Sequence, residues 1–343
     1  MKAVAYSIKP FEKEFLAKAN QKKHDITLIS NALGPDTAVY AEGKEAAIVF
    51  TNDDVSAFVI EKLAALGIKY IVTRSVGTDH IDKEAAARHG IKLSNVPSYS
   101  PQAIAEHVVA IAFALNRHLP KADRRSHHFD FRNDDLIGFN FAGKTVGLIG
   151  LGQTGQATAR IFNGMGCKVI GYDPNFPDDV PFIRPVELKE LLASSDIISL
   201  HLPLTPQTRH FIDNKIISQM KNGVMLINAS RGAIIKTTDL PNALQSGKIG
   251  YLGLDVYEFE KGLFFENHED DTVKDQILNS LMHYPNVLIT PHQAYLTREA
   301  LQEISNQTIK NLDLWQKNKC VGDACLDEKD CAKKEEEPVK ITK

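Results

Sequence analysis

Four side chains in the second half of this chain suit acid–base and anion chemistry, and each lies just past a short apolar run or in the loop that follows it. Arg231 follows VMLINAS, Asp255 follows GYLGL, Glu260 lies five residues further on in DVYEFE, and His292 follows VLITP. A guanidinium clamps a carboxylate or keto oxygen through a bidentate fork and polarises the carbonyl. An imidazolium donates a proton to that oxygen as hydride reaches the carbon. A carboxylate beside the ring orients it and balances its charge. Taken singly, each residue also has a plain structural reading as a surface charge, a helix cap, a loop acid or a packed histidine. Placed after successive strands of one parallel sheet, they border the crevice at its carboxyl edge. Together they suit reduction of a 2-keto acid, given a hydride donor beside them.

The segment TVGLIGLGQTG, Thr145 to Gly155, supplies the site for that donor. Strand formers run straight into Gly150-Leu151-Gly152-Gln153-Thr154-Gly155. A helical pattern and a second apolar run, CKVIGYD, then end at Asp173, 18 residues past Gly155. Gly150 makes the tight turn, Gly152 lets the backbone approach a pyrophosphate, and Gly155 lets helix and strand pack closely. The phosphates face unpaired amides at a helix N-terminus. An acid at Asp173 accepts hydrogen bonds from both ribose hydroxyls but repels a 2′-phosphate. Pro174-Asn175-Phe176 offers no arginine to hold one, so the pattern predicts NAD rather than NADP.

Short apolar runs alternating with helical stretches position these groups. Five runs come first: Lys2 to Ser7, Ile26 to Ser30, Ala46 to Phe50, Lys69 to Thr73 and Ile91 to Ser94. Six follow: Lys144 to Ile149, Cys167 to Tyr172, Asp196 to Leu200, Val224 to Asn228, Ile249 to Leu254 and Asn286 to Thr290. They imply two α/β domains, each with a doubly wound sheet. Between the groups lies an Ala-rich helix from Pro101 to about Arg117, then a polar, irregular segment from Lys121 to Phe141. A last helix spans about Arg298 to Lys317, capped by Thr297, with Leu301, Ile304, Thr308, Leu312 and Trp315 as a core stripe. Beyond Asn318 the charged sequence predicts a disordered tail.

Composition narrows the function classes. The 343 residues suffice for two cores. A net charge of −3 gives no footprint for nucleic acid. No window approaches the roughly 20 apolar residues of a membrane span, and MKAVAYSIKP carries no signal pattern. The four cysteines form no disulfide framework. The C-x4-C-x5-C spacing of Cys320, Cys325 and Cys331 fits no usual zinc pairing, so no metal is expected. A reducing cytoplasm is the expected compartment.

Five motifs in order, GLIGLGQTG, SLHLPLTPQTRHFI, INASRGAII, GLDVYEFE and ITPHQAYLT, resemble the D-2-hydroxyacid dehydrogenases. The likeness runs from residue 1 to about 318. It implies that Arg231, Glu260 and His292 form the catalytic triad, with Asp255 supporting the histidine. It implies that Val76 and Gly77, in TRSVGTDHID, are backbone donors for the substrate carboxylate, and that Tyr99 and Tyr295 flank the substrate. On the cofactor it places the glycine motif with Gln153 and Thr154, then Asp173, His201, Pro203, Thr205, Asn228, Ala229, Ser230 and Asp255. The 32-position link from Glu260 to His292, with its KGLFFENHED insertion, looks like the lactate branch. Alternatives within the resemblance are a dehydrogenase for a bulkier 2-keto acid and an NAD-sensing scaffold of the corepressor type.

The resemblance also implies the architecture: two doubly wound domains, with a Rossmann-type NAD-binding domain inserted into a discontinuous flavodoxin-like substrate domain. Residues 1–99 would begin the substrate domain, 100–298 form the NAD-binding domain, 299–318 return to the first domain, and 319–343 form the tail. The site would lie in a cleft that closes over a small 2-keto or 2-hydroxy acid. A homodimer through the NAD-binding domains is expected, as is the absence of nucleic-acid and membrane partners.

Overall fold

The computed structural model describes residues 1–271 and 275–326. The chain divides into two compact units, one of Met1–Ser100 with the chain from Thr297 on, the other of Pro101–Leu296. In the first unit, β1 (Lys2–Ala5), β2 (Asp25–Leu28), β3 (Ala46–Val49), β4 (Tyr70–Thr73) and β5 (Lys92–Ser94) pair in parallel, in the order β2-β1-β3-β4-β5. This is the flavodoxin-like order. Alternation along each strand divides the core between two faces. Val4, Ala47, Val49 and Ile71 meet the helix Ala57–Ala65 through Val59, Ile60 and Leu63. Ala3, Ala5, Ile48 and Val72 meet Ile309, Leu312 and Trp315 of the helix Arg298–Gln316. The expected stripe on that helix is core, and Thr297 Oγ1 caps it by accepting from the Ala300 amide at 3.2 Å.

The second unit holds β6 (Thr145–Ile149), β7 (Lys168–Tyr172), β8 (Arg184–Pro185), β9 (Ile197–Leu200), β10 (Val224–Asn228), β11 (Ile249–Leu254) and β12 (Val287–Ile289). All pair in parallel, in the order β12-β11-β10-β9-β6-β7-β8. From β6 outward this is the Rossmann order with a seventh strand at the edge, and the chain reverses direction of growth between β6 and β9. Strand β8 was not expected; two residues, one of them proline, carry no periodicity and fit only a sheet edge.

Two expectations need correction. The segment 121–141 is not wholly irregular, because Leu119–Ser126 is helical, with Pro120 in its first turn. Nor does the tail begin at residue 319 as a disordered stretch. Val321 and Ala324 are buried, and Cys325 bridges Ser94 in an antiparallel pair at the edge of β5. An open strand edge offers backbone partners that a charge-dominated composition does not reveal. Residues 327–343, Cys331 among them, lie outside the described residues. Among the described residues, no helix is long and apolar enough to cross a membrane.

Leu148 in β6 is fully buried in the core of the second unit. Leu148→Ala is expected to cost about 2–5 kcal/mol of stability, read as a shift in the urea unfolding midpoint. A shift below 1 kcal/mol would show that this core tolerates a void there.

Candidate active site

The glycine motif caps the carboxyl end of β6. Gly150 has φ +94°, and a Cβ there would lie 2.3 Å from the His201 carbonyl oxygen. A Cβ on Gly155 would lie 2.2 Å from the Gly150 carbonyl oxygen, so helix and turn touch because no side chain separates them. At Gly152 the same position is open space. Gly152 is also the N-cap of the helix Gln153–Gly164. No side chain caps this helix and its first turn holds no acid, an electrostatic setting that favours an anion at its N-terminus. Asp173, at the end of β7, accepts from the Leu151 amide at 2.7 Å and the Asn175 amide at 2.8 Å. The acid therefore ties the glycine turn to the end of β7. An uncapped helix, an open glycine face and a ribose-side carboxylate fit NAD and disfavour a 2′-phosphate.

After β9 comes the loop of His201, Pro203 and Thr205. His201 Nε2 lies 2.9 Å from Ser199 Oγ. Thr208 Oγ1 donates to the Pro203 carbonyl at 2.6 Å, and the Thr205 amide donates to Thr208 Oγ1 at 2.8 Å. Enclosure of the His201 ring lowers its pKa from 6.5 to about 4.

The neighbouring strands β10, β11 and β12 carry the remaining chemistry at their carboxyl ends. Past β10, Asn228 folds the turn. Its Oδ1 accepts from Ser230 N at 3.0 Å and Oγ at 2.8 Å, and its Nδ2 donates to the Arg231 carbonyl at 2.8 Å. Ala229 is buried beneath that turn. A Cβ on Gly232 would sit 2.1 Å from the Tyr257 carbonyl carbon. Only glycine lets the Arg231 loop lie this close to the loop of Glu260. His210 and Glu258, 2.6 Å apart, tie the β9 loop to the same segment.

Past β11, Asp255 is fully buried. Its Oδ1 accepts from Thr290 Oγ1 at 2.6 Å and Gln293 N at 2.9 Å, and its Oδ2 accepts from Ala294 N at 2.9 Å. His107 Nε2, from the helix Pro101–Asn116, lies 3.2 Å from Asp255 Oδ1. The His292 amide donates to the Asp255 carbonyl at 2.8 Å. These bonds hold His292 at φ 52°, a left-handed conformation uncommon outside glycine. Its Nδ1 then lies 2.9 Å from Glu260 Oε1, while Glu260 Oε2 accepts from Tyr257 N at 3.0 Å. Nδ1 is thus committed to the carboxylate, and Nε2 is the ring atom free to exchange a proton. The Phe265 ring lies 5.8 Å from the imidazole. Tyr295 is buried in this unit.

Val76, Gly77 and Tyr99 belong to the first unit. The Val96 amide donates to the Ser75 carbonyl at 3.1 Å, and Asn95 Nδ2 donates to the Val76 carbonyl at 2.8 Å. In a trans peptide the N–H points opposite to the preceding C=O. Holding those two carbonyls therefore turns the Val76 and Gly77 amides away from Asn95 and Val96. Arg74 is buried, its guanidinium bonded to Glu12 and to the Tyr6 carbonyl.

Sequence reasoning missed His107, Asn95 and Glu258. His107 alone left a sign, a polar residue at the start of the apolar stretch HVVAIAFAL inside its helix. Among the described residues, no group of His, Cys, Asp and Glu is arranged to hold a metal.

Comparison with known proteins follows the same lines. Residues 109–294 match the model of the NAD-binding domain of D-isomer specific 2-hydroxyacid dehydrogenases. A D-lactate dehydrogenase of Escherichia coli is 40% identical, over 96% of this chain and 99% of its own. The structure of a pyruvate reductase of Chlamydomonas reinhardtii superposes with a TM-score of 0.88 at 44% identity, covering 94% of this chain and 98% of that one. The apo-structure of the Escherichia coli D-lactate dehydrogenase gives 0.86 at 38% identity, covering 95% and 100%.

The depressed His201 pKa carries a sign. Between pH 6.5 and about 4 the unfolded chain takes up a proton that the folded ring refuses, so His201 makes the fold less stable as pH falls through that window. His201→Gln is expected to flatten the fall in Tm between those pH values. Identical slopes in variant and parent would remove this role.

Proposed function

The chain belongs to the D-isomer specific 2-hydroxyacid dehydrogenases, and from that membership we propose that it reduces pyruvate, or a close 2-keto acid, reversibly to the D-2-hydroxy acid. It is an NAD-dependent oxidoreductase of the CH–OH group. The observation that carries the reading is the His292–Glu260 pair at 2.9 Å. It stands at the end of the sheet that bears Arg231 and the dinucleotide turn.

NADH, when bound, supplies the hydride to the keto carbon. His292 Nε2 gives the proton to the keto oxygen, and in the reverse direction takes it from the hydroxyl. Glu260 holds the ring through Nδ1 and offsets the imidazolium charge. Arg231 polarises the ketone through its fork. Asp255 acts on His292 through the backbone and joins the contacts on the cofactor side. The Val76 and Gly77 amides take the substrate carboxylate, with Tyr99 and Tyr295 as its apolar neighbours. Gly150, Gly152, Gln153, Thr154, Gly155 and Asp173 take the pyrophosphate and ribose, His201, Pro203 and Thr205 the adenosine side, and Asn228, Ala229 and Ser230 the nicotinamide side. In this reading the first unit is the substrate domain and the second the cofactor domain. The buried Cys167 is a free thiol, which suits a reducing cytoplasm.

A homodimer through the cofactor units completes the reading. Phe129, Phe131 and Ile137 are 86%, 72% and 82% exposed on one short segment of that unit, an apolar display that suits a second copy. Sedimentation at the monomer mass at micromolar concentration would remove the dimer.

His292→Ala is expected to slow pyruvate reduction about 10²- to 10⁴-fold with NADH binding retained, on the order of 3–5 kcal/mol of barrier. Arg231→Lys should also be damaging, because a point charge does not replace a fork. Parental rates in either variant would dismiss the assigned role. A stereospecific assay returning the L product, or a keto-acid series dominated by phenylpyruvate, would replace the substrate reading.

A further inference from the structure

Asn95 is a junction within the first unit, buried to 8% exposure. Its side-chain Nδ2 holds the Val76 carbonyl at 2.8 Å. Its backbone is gripped from two later parts of the chain. Its amide donates to the Ala324 carbonyl at 3.0 Å, and its carbonyl accepts from Asn311 Nδ2 at 3.0 Å. Asn311 is fully buried on the helix Arg298–Gln316 and donates also to Ser94 Oγ at 3.1 Å. Gln307 Nε2 donates to Asn311 Oδ1 at 2.8 Å, which fixes which end of that amide faces Asn95. Two residues past Ala324, the Leu326 amide donates to the Leu93 carbonyl at 3.1 Å, so the chain at Cys325 pairs with the edge of β5.

We infer that Asn95 is a positioning residue for the substrate carboxylate, seated by Asn311 and by the segment that follows the last helix. The inference rests on the reading of Val76 and Gly77 as carboxylate donors. The physical chain is short. The peptide plane between Val76 and Gly77 is set by where its carbonyl is held, and Asn95 is the side chain that holds it. An amide that aims a backbone donor at an anion acts on ground-state binding of the acid rather than on proton transfer or hydride delivery. Loss of the Asn95 amide should therefore appear in KM for the keto acid, not in kcat or in NADH affinity.

Asn95→Leu and Asn95→Asp keep the size and remove the donor. Each is expected to raise KM for pyruvate about ten-fold, the effect of one misdirected hydrogen bond to a charged group. The change in kcat should stay within about three-fold, and the NADH dissociation constant should be unchanged. Asn311→Leu, remote from the loop, is expected to move KM in the same direction by a smaller factor, and serves if the Asn95 variants do not fold. Gly77→Pro, which deletes one of the two amides, separates the layers of the argument. If Gly77→Pro leaves KM unchanged, the carboxylate reading falls and the positioning role with it. If Gly77→Pro raises KM while the folded Asn95 and Asn311 variants do not, the carboxylate reading stands and the positioning role is overturned. A fall in kcat or in NADH affinity at parental KM also overturns it.

Discussion

A carboxylate taken out of water must find protein donors for its oxygens, and Asp255 finds them in a hydroxyl, two backbone amides and an imidazole nitrogen. No lysine or arginine is among these four. Three of the four come from the chain just past β12, so burying this one group fixes the path of Thr290 to Ala294. His292 sits in the middle of that path with a backbone angle it would not choose alone. The Glu260 loop leaves from the other side of the same aspartate. The distance between imidazole and glutamate is thus governed by a third acid that acts on them only through the backbone.

The same economy holds where neighbouring loops meet. The Arg231 turn is shaped by Asn228 and approaches Tyr257 only because residue 232 has no side chain. The His210–Glu258 contact joins the loop after β9 to that assembly. The ends of β9, β10 and β11 thereby share one scaffold, and the Asp255 network ties the chain past β12 to it.

What was legible beforehand follows from the range of the interactions. Gly150, Gly155 and Asp173 act within one strand–helix–strand unit, and their spacing states their task. Arg231, Glu260 and His292 were legible because strand ends in a parallel sheet lie side by side, and because the motifs around them resemble a family. His107 and Asn95 were not. His107 meets Thr290 across 183 positions, and Asn311 reaches Asn95 across 216. Nothing local in either neighbourhood names such a partner. The start of the tail was misread for a related reason. Val321 and Ala324 look isolated among charges, and what buries them is the distant core of Ala3, Ala5 and Trp315, with the open edge of β5 pairing Cys325 beside them.

The first unit draws on both ends of the chain, and this has a consequence for biogenesis. On the ribosome, the strands of its sheet emerge before residue 95, but the helix bearing Ile309, Leu312 and Trp315 is synthesised some two hundred residues later. Until then Ala3, Ala5, Ile48 and Val72 have only Ile8 and Leu16 from the N-terminal stretch over them, whereas every strand of the intervening unit is already made. Vectorial synthesis thus lets the middle of this polypeptide mature first, and makes the N-terminal sheet wait, one apolar face part-covered, for the last helix to leave the exit tunnel.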